Sequence, residues 1–229
     1  MKYFFSTIFL LFIVILLKGE NFSTIKFNII PVYDNKRFSL EDQKLSVDSK
    51  DSLKIETLKF YLTSFQLLKE NKIIYSENNS FHLVDVSIPS SLSFNLPLES
   101  SISFDEINFN LGIDSVINSS GVQGGDLDPT KGMYWTWQSG YINFKIEGTS
   151  LICNTRNHEF NFHLGGFVFP FNALQKINLS TSNTNVINVC FDLKSFLDNV
   201  NLEKKNHIMS PSEDAIQLSK KVAQCFHIN

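Results

Sequence analysis

Ile142-Asn143-Phe144-Lys145-Ile146 alternates apolar and polar side chains. Successive side chains of an extended strand point to opposite faces, so this stretch is a half-buried strand, one face on a core and one toward water. The same period recurs in both directions from it. Upstream, Ile25, Phe27 and Ile29 alternate with Lys26 and Asn28, Leu58, Phe60 and Leu62 with Lys59 and Tyr61, and Ile107, Phe109 and Leu111 with Asn108 and Asn110. Downstream, Phe160, Phe162 and Leu164 alternate with Asn161 and His163, and Ile187, Val189 and Phe191 with Asn188 and Cys190. Asn, Ser, Gly and Pro separate these runs. The pattern predicts an all-β fold, an antiparallel β-sandwich with few short helices. With 22 Phe against 2 Trp and 6 Tyr, the core should be built mainly from Phe, Ile and Leu.

Helical signals are confined to the C-terminal part. Ser210-Pro211-Ser212-Glu213 has the arrangement of a capping box with Pro at the first helical position. Beyond it Ala215, Leu218, Val222 and Phe226 fall along one face, which predicts a C-terminal helix on the sandwich. Asp192 is placed to cap a second short helix reaching Asn199. Residues 116–131 form a long Gly-rich loop with Asp126 and Asp128. It has no calcium-loop spacing, so these acids and Asp114 read as turn chemistry.

The N-terminus carries Lys2 and then an apolar run over residues 4–17. That is the length of a signal-peptide core and shorter than a membrane span of about 20 residues. The expected organisation is a signal peptide over residues 1–19 and one domain over residues 20–229, exported to the periplasm, the cell surface or the medium; an uncleaved anchor is the alternative. Three cysteines, Cys153, Cys190 and Cys225, leave one thiol over if two pair. Cys153 with Cys190 is a candidate bridge, and three buried thiols are the other reading. The formal net charge is −3 with the signs interspersed, which offers no basic surface to nucleic acid.

Gly132-Met133-Tyr134-Trp135-Thr136-Trp137-Gln138-Ser139-Gly140-Tyr141 holds both tryptophans. In an extended chain Trp135 and Trp137 share a face. Together with the following strand, and with LGIDSVINSSG and GDLDP before it, this stretch resembles the signature of the MbnP-like domain family. Tyr61-Leu62-Thr63-Ser64, Phe81-His82-Leu83-Val84-Asp85, Phe162-His163-Leu164-Gly165-Gly166 and His207-Ile208-Met209-Ser210-Pro211 resemble further elements of that family in the same order. The resemblance spans about residues 22–228. It implies a periplasmic or surface protein of copper handling, holding copper through imidazoles together with an oxidised tryptophan. It also implies a di-haem partner of the cytochrome c peroxidase type that performs the oxidation. Relatives place the modified tryptophan in a Trp-x-His spacing; here the stretch is Trp135-Thr136-Trp137, and no Trp-x-His occurs.

Of the five histidines, His82, His163 and His207 lie in family-like segments, which makes them the candidate copper ligands. Met209 is a candidate weak thioether ligand, and Trp135 and Trp137 are the candidates for oxidation. His158 and His227 have no such context. No nucleophile elbow, phosphate loop or zinc-protease motif is present, so the chain reads as a binding protein and not an enzyme. A different class of function fits the same residues: a sandwich interaction module whose aromatic segment contacts sugar or protein.

Overall fold

The structure is a computed structural model that describes residues 23–41, 53–98, 102–138 and 140–229. The apolar N-terminal run and its reading as a signal peptide lie outside the described residues. The strands in chain order are β1 (Ser23–Tyr33), β2 (Lys36–Arg37), β3 (Leu53–Lys69), β4 (Lys72–Ser76), β5 (Phe81–Asp85), β6 (Ser93–Leu98), β7 (Glu106–Leu111), β8 (Tyr134–Trp135) and β9 (Gly140–Ser150). They continue as β10 (Glu159–Gly165), β11 (Phe167–Val168), β12 (Phe171–Asn172), β13 (Gln175–Ser180), β14 (Val186–Asp192), β15 (His207–Ile208) and β16 (Phe226–Ile228). Three short helices join them: α1 (Ser115–Ser119), α2 (Leu193–Asp198) and α3 (Glu213–Ala223). All six period-two segments named above are strands.

Two sheets face each other. The smaller runs β16-β14-β1-β2, with β6 also on β1; the larger runs β13-β7-β3-β9-β10-β15, with β4 and β5 also on β3. Most pairs are antiparallel, as expected, but β1 with β14 and β10 with β15 are parallel. Those two pairs join segments distant in the chain, where a long crossover is available; a hairpin connection forces the antiparallel arrangement.

Phe60 and Phe144 of the larger sheet meet Phe191 of the smaller at ring centroid distances of 5.4 and 5.7 Å. Phe27 meets Phe65 edge-on at 5.0 Å. Offset and edge-to-face pairs of this kind add to simple burial. The main core also takes in Cys153 and Cys225. Cys190 lies outside that cluster, and Cys153, Cys190 and Cys225 are all buried, with none in a disulfide. The candidate Cys153–Cys190 bridge is therefore corrected: the two side chains sit in different layers.

The two helix expectations hold, with two changes: Phe226, expected on the face of the C-terminal helix, lies in β16, and the cap of that helix shifts. Asp192 accepts from the Ser195 amide at the start of α2, and Ser212 accepts from the Ala215 amide at the start of α3. Ser212 is thus the cap, and Pro211 precedes it instead of occupying the first helical turn. The helix buries Ala215, Leu218 and Val222 and packs on β10 and β13.

The outer face of the larger sheet is covered in part by a second apolar cluster. Tyr61, Leu83, Ile113, Leu127, Met133, Trp135, Tyr141 and Ile142 form it. The long loop thus folds back onto the sheet. Tyr61 Oη donates to the Asp126 carbonyl and Tyr141 Oη to the Leu127 carbonyl, at 2.9 and 3.0 Å. Burial pushes both phenol pKa values up, so they stay donors.

Gly148 sits where β9 crosses close under β3: a Cβ there would lie 2.1 Å from the Lys54 carbonyl and 2.8 Å from the Phe160 ring. Gly148→Ala should cost about 1–3 kcal/mol through overpacking, measured by urea unfolding. Gly124, with nothing within 4 Å of its Cβ position, is the control; equal losses at both positions would contradict the packing account.

Candidate functional site

The strand register writes two polar rows across the outer face of the larger sheet. In one, Asp85 pairs with Lys59, Lys59 with Lys145, and Lys145 with His163. In the other, Thr57 pairs with Glu147, Glu147 with Asn161, and Asn161 with His207. Directly opposed residues project to the same side of a sheet. The first row is anchored at one end, where Lys59 Nζ lies 2.8 Å from Asp85 and 3.3 Å from the Lys131 carbonyl. Burial pushes the Asp85 carboxyl up, but Lys59 and Ser87 outweigh it and hold its pKa below the usual range.

His163 is buried, 5% exposed, as is Asp85 at the other end of its row, 4% exposed. His163 Nε2 lies 2.7 Å from Glu147 Oε1. An ionised carboxylate only accepts, so Nε2 carries the proton in this contact. The hydrogen bond from His163 leads in lowering the Glu147 pKa; Thr57 and Lys145 add to it. Together they outweigh burial and hold the carboxyl at about 2. His207 is exposed on the neighbouring strand β15, and Met209, 37% exposed, follows directly. The fold therefore brings His163 and His207 to one face of adjacent strands.

His82 goes elsewhere. It pairs with Leu62 and shares the inner face with Val84, so it points away from His163. Three strand spacings, about 14 Å, also separate the two strands. The His82 ring stacks on Phe94 at 3.7 Å and meets Phe65 edge-on, with Nε2 2.9 Å from Glu77. It seals the open edge between the sheets. Among the described residues no group of three or more His, Cys, Asp and Glu is placed to hold a metal ion. Asp126 is structural: it accepts from the Leu83 amide on the free edge of β5 and pairs with Lys131. Asp114 caps α1 and Asp128 the turn after it.

The tryptophans part company. Trp135 is 5% exposed and Trp137 is 64% exposed, with ring centroids 6.1 Å apart. The shared-face expectation assumed an extended chain, but β8 ends at Trp135 and the chain turns at Thr136. The Trp135 indole rests on Gly165, two residues beyond His163; a Cβ at Gly165 would lie 2.8 Å from the ring. Trp135 Nε1 is buried with no hydrogen-bond partner.

Sequence reasoning missed Glu147, Thr57 and Lys145 as neighbours of His163. Period two places each on the polar face of its own strand, but only cross-strand register shows which polar residues meet. Gly165 carried no signal beyond its place in a family-like segment.

Comparisons with known proteins agree with this architecture. The family profile described as MbnP matches residues 22–210, ending before α3. Among solved structures, MbnP from Methylosinus trichosporium matches with a TM-score of 0.54 at 14% sequence identity, over 78% of each chain. That likeness is one of fold. Among curated proteins none matches the sequence.

The folded pKa of Glu147 is depressed from its ordinary value of 4.5 to about 2. Its contribution to stability is therefore full above the ordinary value and lost as pH falls toward 2. Glu147→Gln should cost about 1–3 kcal/mol at pH 6 and flatten the decline in unfolding free energy between pH 5 and pH 2. Denaturant titrations across that range check it, and unchanged pH slopes would contradict the assignment.

Proposed function

The chain belongs to the MbnP family, and from that premise we propose that it is an exported copper-binding protein without catalytic activity of its own. Its ligand is copper as cargo, and its partner is a di-haem protein of the cytochrome c peroxidase type. The observation that carries the metal reading is the hydrogen bond from His163 to Glu147. Imidazoles that bind metals commonly donate their second N–H to a carboxylate, which fixes the tautomer and raises ligand basicity. Here that bond leaves Nδ1 of His163 as the ligating nitrogen.

His207 on the adjacent strand supplies the second imidazole, and Met209 beside it supplies a soft thioether. Imidazole with thioether, and no added carboxylate cluster, suits Cu(I) better than a hard cation. His82 is left out of this ligand set because it occupies the opposite face. Trp135 and Trp137 are the residues proposed for oxidation by the partner. Export rests on the reading of residues 1–19. No helix among the described residues is long and apolar enough to cross a membrane.

One observation favours a second reading, that of an interaction module: Trp137 is largely exposed, as an aromatic contact for sugar or protein would be.

Competition of the protein against a chromophoric chelator for Cu(I) separates these readings. His163→Ala should abolish tight binding, and Glu147→Gln should weaken it about 10–100-fold through loss of the orienting carboxylate. His82→Ala should leave it unchanged; equal losses at His82 and His163, or no binding by the unaltered protein, would remove the copper assignment. Mass spectrometry of protein from the native host tests the tryptophans. Conversion to kynurenine exchanges a ring carbon for an oxygen, and a peptide bearing Trp135 and Trp137 with the mass of its unaltered residues would remove the oxidation.

A further inference from the structure

Among the described residues β5 pairs with β3 alone, and a cavity of 540 Å³ lies at its open edge. That volume falls in the range of small-ligand sites, roughly 300–1,000 Å³. A free strand edge ordinarily invites another strand. This one is already occupied from within the chain. The Leu83 amide donates to Asp126 Oδ2 at 3.0 Å, and the Asp85 amide donates to Ser91 Oγ at 2.9 Å. An added peptide strand would find neither amide free, so the cavity is left to a small molecule held by side chains.

The charged groups around the cavity are unequally engaged. Each carboxylate oxygen already has a donor. Asp85 accepts from Ser87 on one oxygen and from Lys59 on the other. Asp126 accepts from Lys131 on one and from the Leu83 amide on the other. An ammonium carries three donors. Lys131 gives one to Asp126, and Lys59 gives two, to Asp85 and to the Lys131 carbonyl. Spare N–H groups therefore face the cavity without a matching set of vacant carboxylate oxygens, and the ligand that completes them is an anion. Leu83, Ile88 and Phe94 supply apolar lining beside these lysines. Phe94 is backed by the His82 ring, stacked on it at 3.7 Å, and Ile88 remains 49% exposed. A flat apolar group laid on this wall removes apolar surface from water.

We propose that this cavity binds a small organic carboxylate with a flat apolar body. Lys131 and Lys59 hold the carboxylate, and Phe94 and Ile88 receive the body. The site is separate from the copper reading and does not depend on it, because neither His163 nor His207 lines the cavity.

Amide NMR of the isotope-labelled, metal-free full chain tests it, with benzoate as the probe. Benzylamine and benzyl alcohol keep the ring and change the charge. Benzoate should shift the amides of Leu83, Asp85, Ser91 and Lys131 saturably, with a Kd on the order of 1 mM for so few atoms. Benzylamine and benzyl alcohol should bind about tenfold more weakly or less, since they lose the charge-assisted hydrogen bonds. Lys131→Gln should weaken benzoate about fivefold. Lys54→Gln, at an exposed lysine paired with Glu56, should leave it unchanged. Amide positions away from the cavity report whether each variant is folded; if Lys131→Gln is not, the comparison of benzoate with benzylamine still decides. No shift at the four amides, equal binding of benzylamine, an affinity that Lys131→Gln leaves intact in a folded chain, or an equal loss in Lys54→Gln would each overturn the proposal.

Discussion

One strand constrains the rest of the molecule. β3 runs for 17 residues and carries β9 and β7 along successive lengths, with β5 and β4 also paired to it. A strand paired over so much of both edges satisfies its own backbone groups and those of its neighbours. Its alternation then sets what each layer holds. Leu58, Phe60 and Leu62 go to the inner core, while Thr57, Lys59 and Tyr61 go to the outer face. The ladder shifts register between Thr63 and Gln66, where Ser64 takes a φ of +56°. Ser80 steadies that step: its hydroxyl accepts from the Phe65 amide and its carbonyl from the Ser64 amide.

The outer face is where structure turns toward function. The long loop covers one part of it as an apolar lid, held by tyrosine hydroxyls and by lysines 59 and 145 reaching loop carbonyls. The remainder keeps Glu147, His163 and His207. Buried polar groups on a half-covered face are generally partnered; the His163–Glu147 pair meets that demand and Trp135 Nε1 does not. The bond that satisfies the sheet is also the one on which the proposed ligand role of the imidazole rests.

The aromatic segment shows the same division of labour. Trp135 is packed on Gly165 and belongs to the lid; Trp137, beyond the turn at Thr136, faces solvent. A buried indole close to the His163 strand and an exposed one at the surface give the two rings different environments in spite of their spacing in sequence.

Much of this was legible in the residues alone. Period two fixed the strands and the inward set of Phe, Ile and Leu, because the face of a strand depends only on parity. Asp192 and Ser212 marked helix starts by local chemistry, though not that Pro211 stands outside the helix. Parity also placed His163 on the face away from Phe160 and Phe162, and His82 with Val84. What parity leaves open is which strand lies beside which. Pairing and register between distant segments decided that His163 meets Glu147 and neighbours His207, that His82 turns to the other side of the sheet, that Cys153 and Cys190 stay apart, and that two strand pairs run parallel. These are products of long-range packing, and no local pattern of residues encodes them.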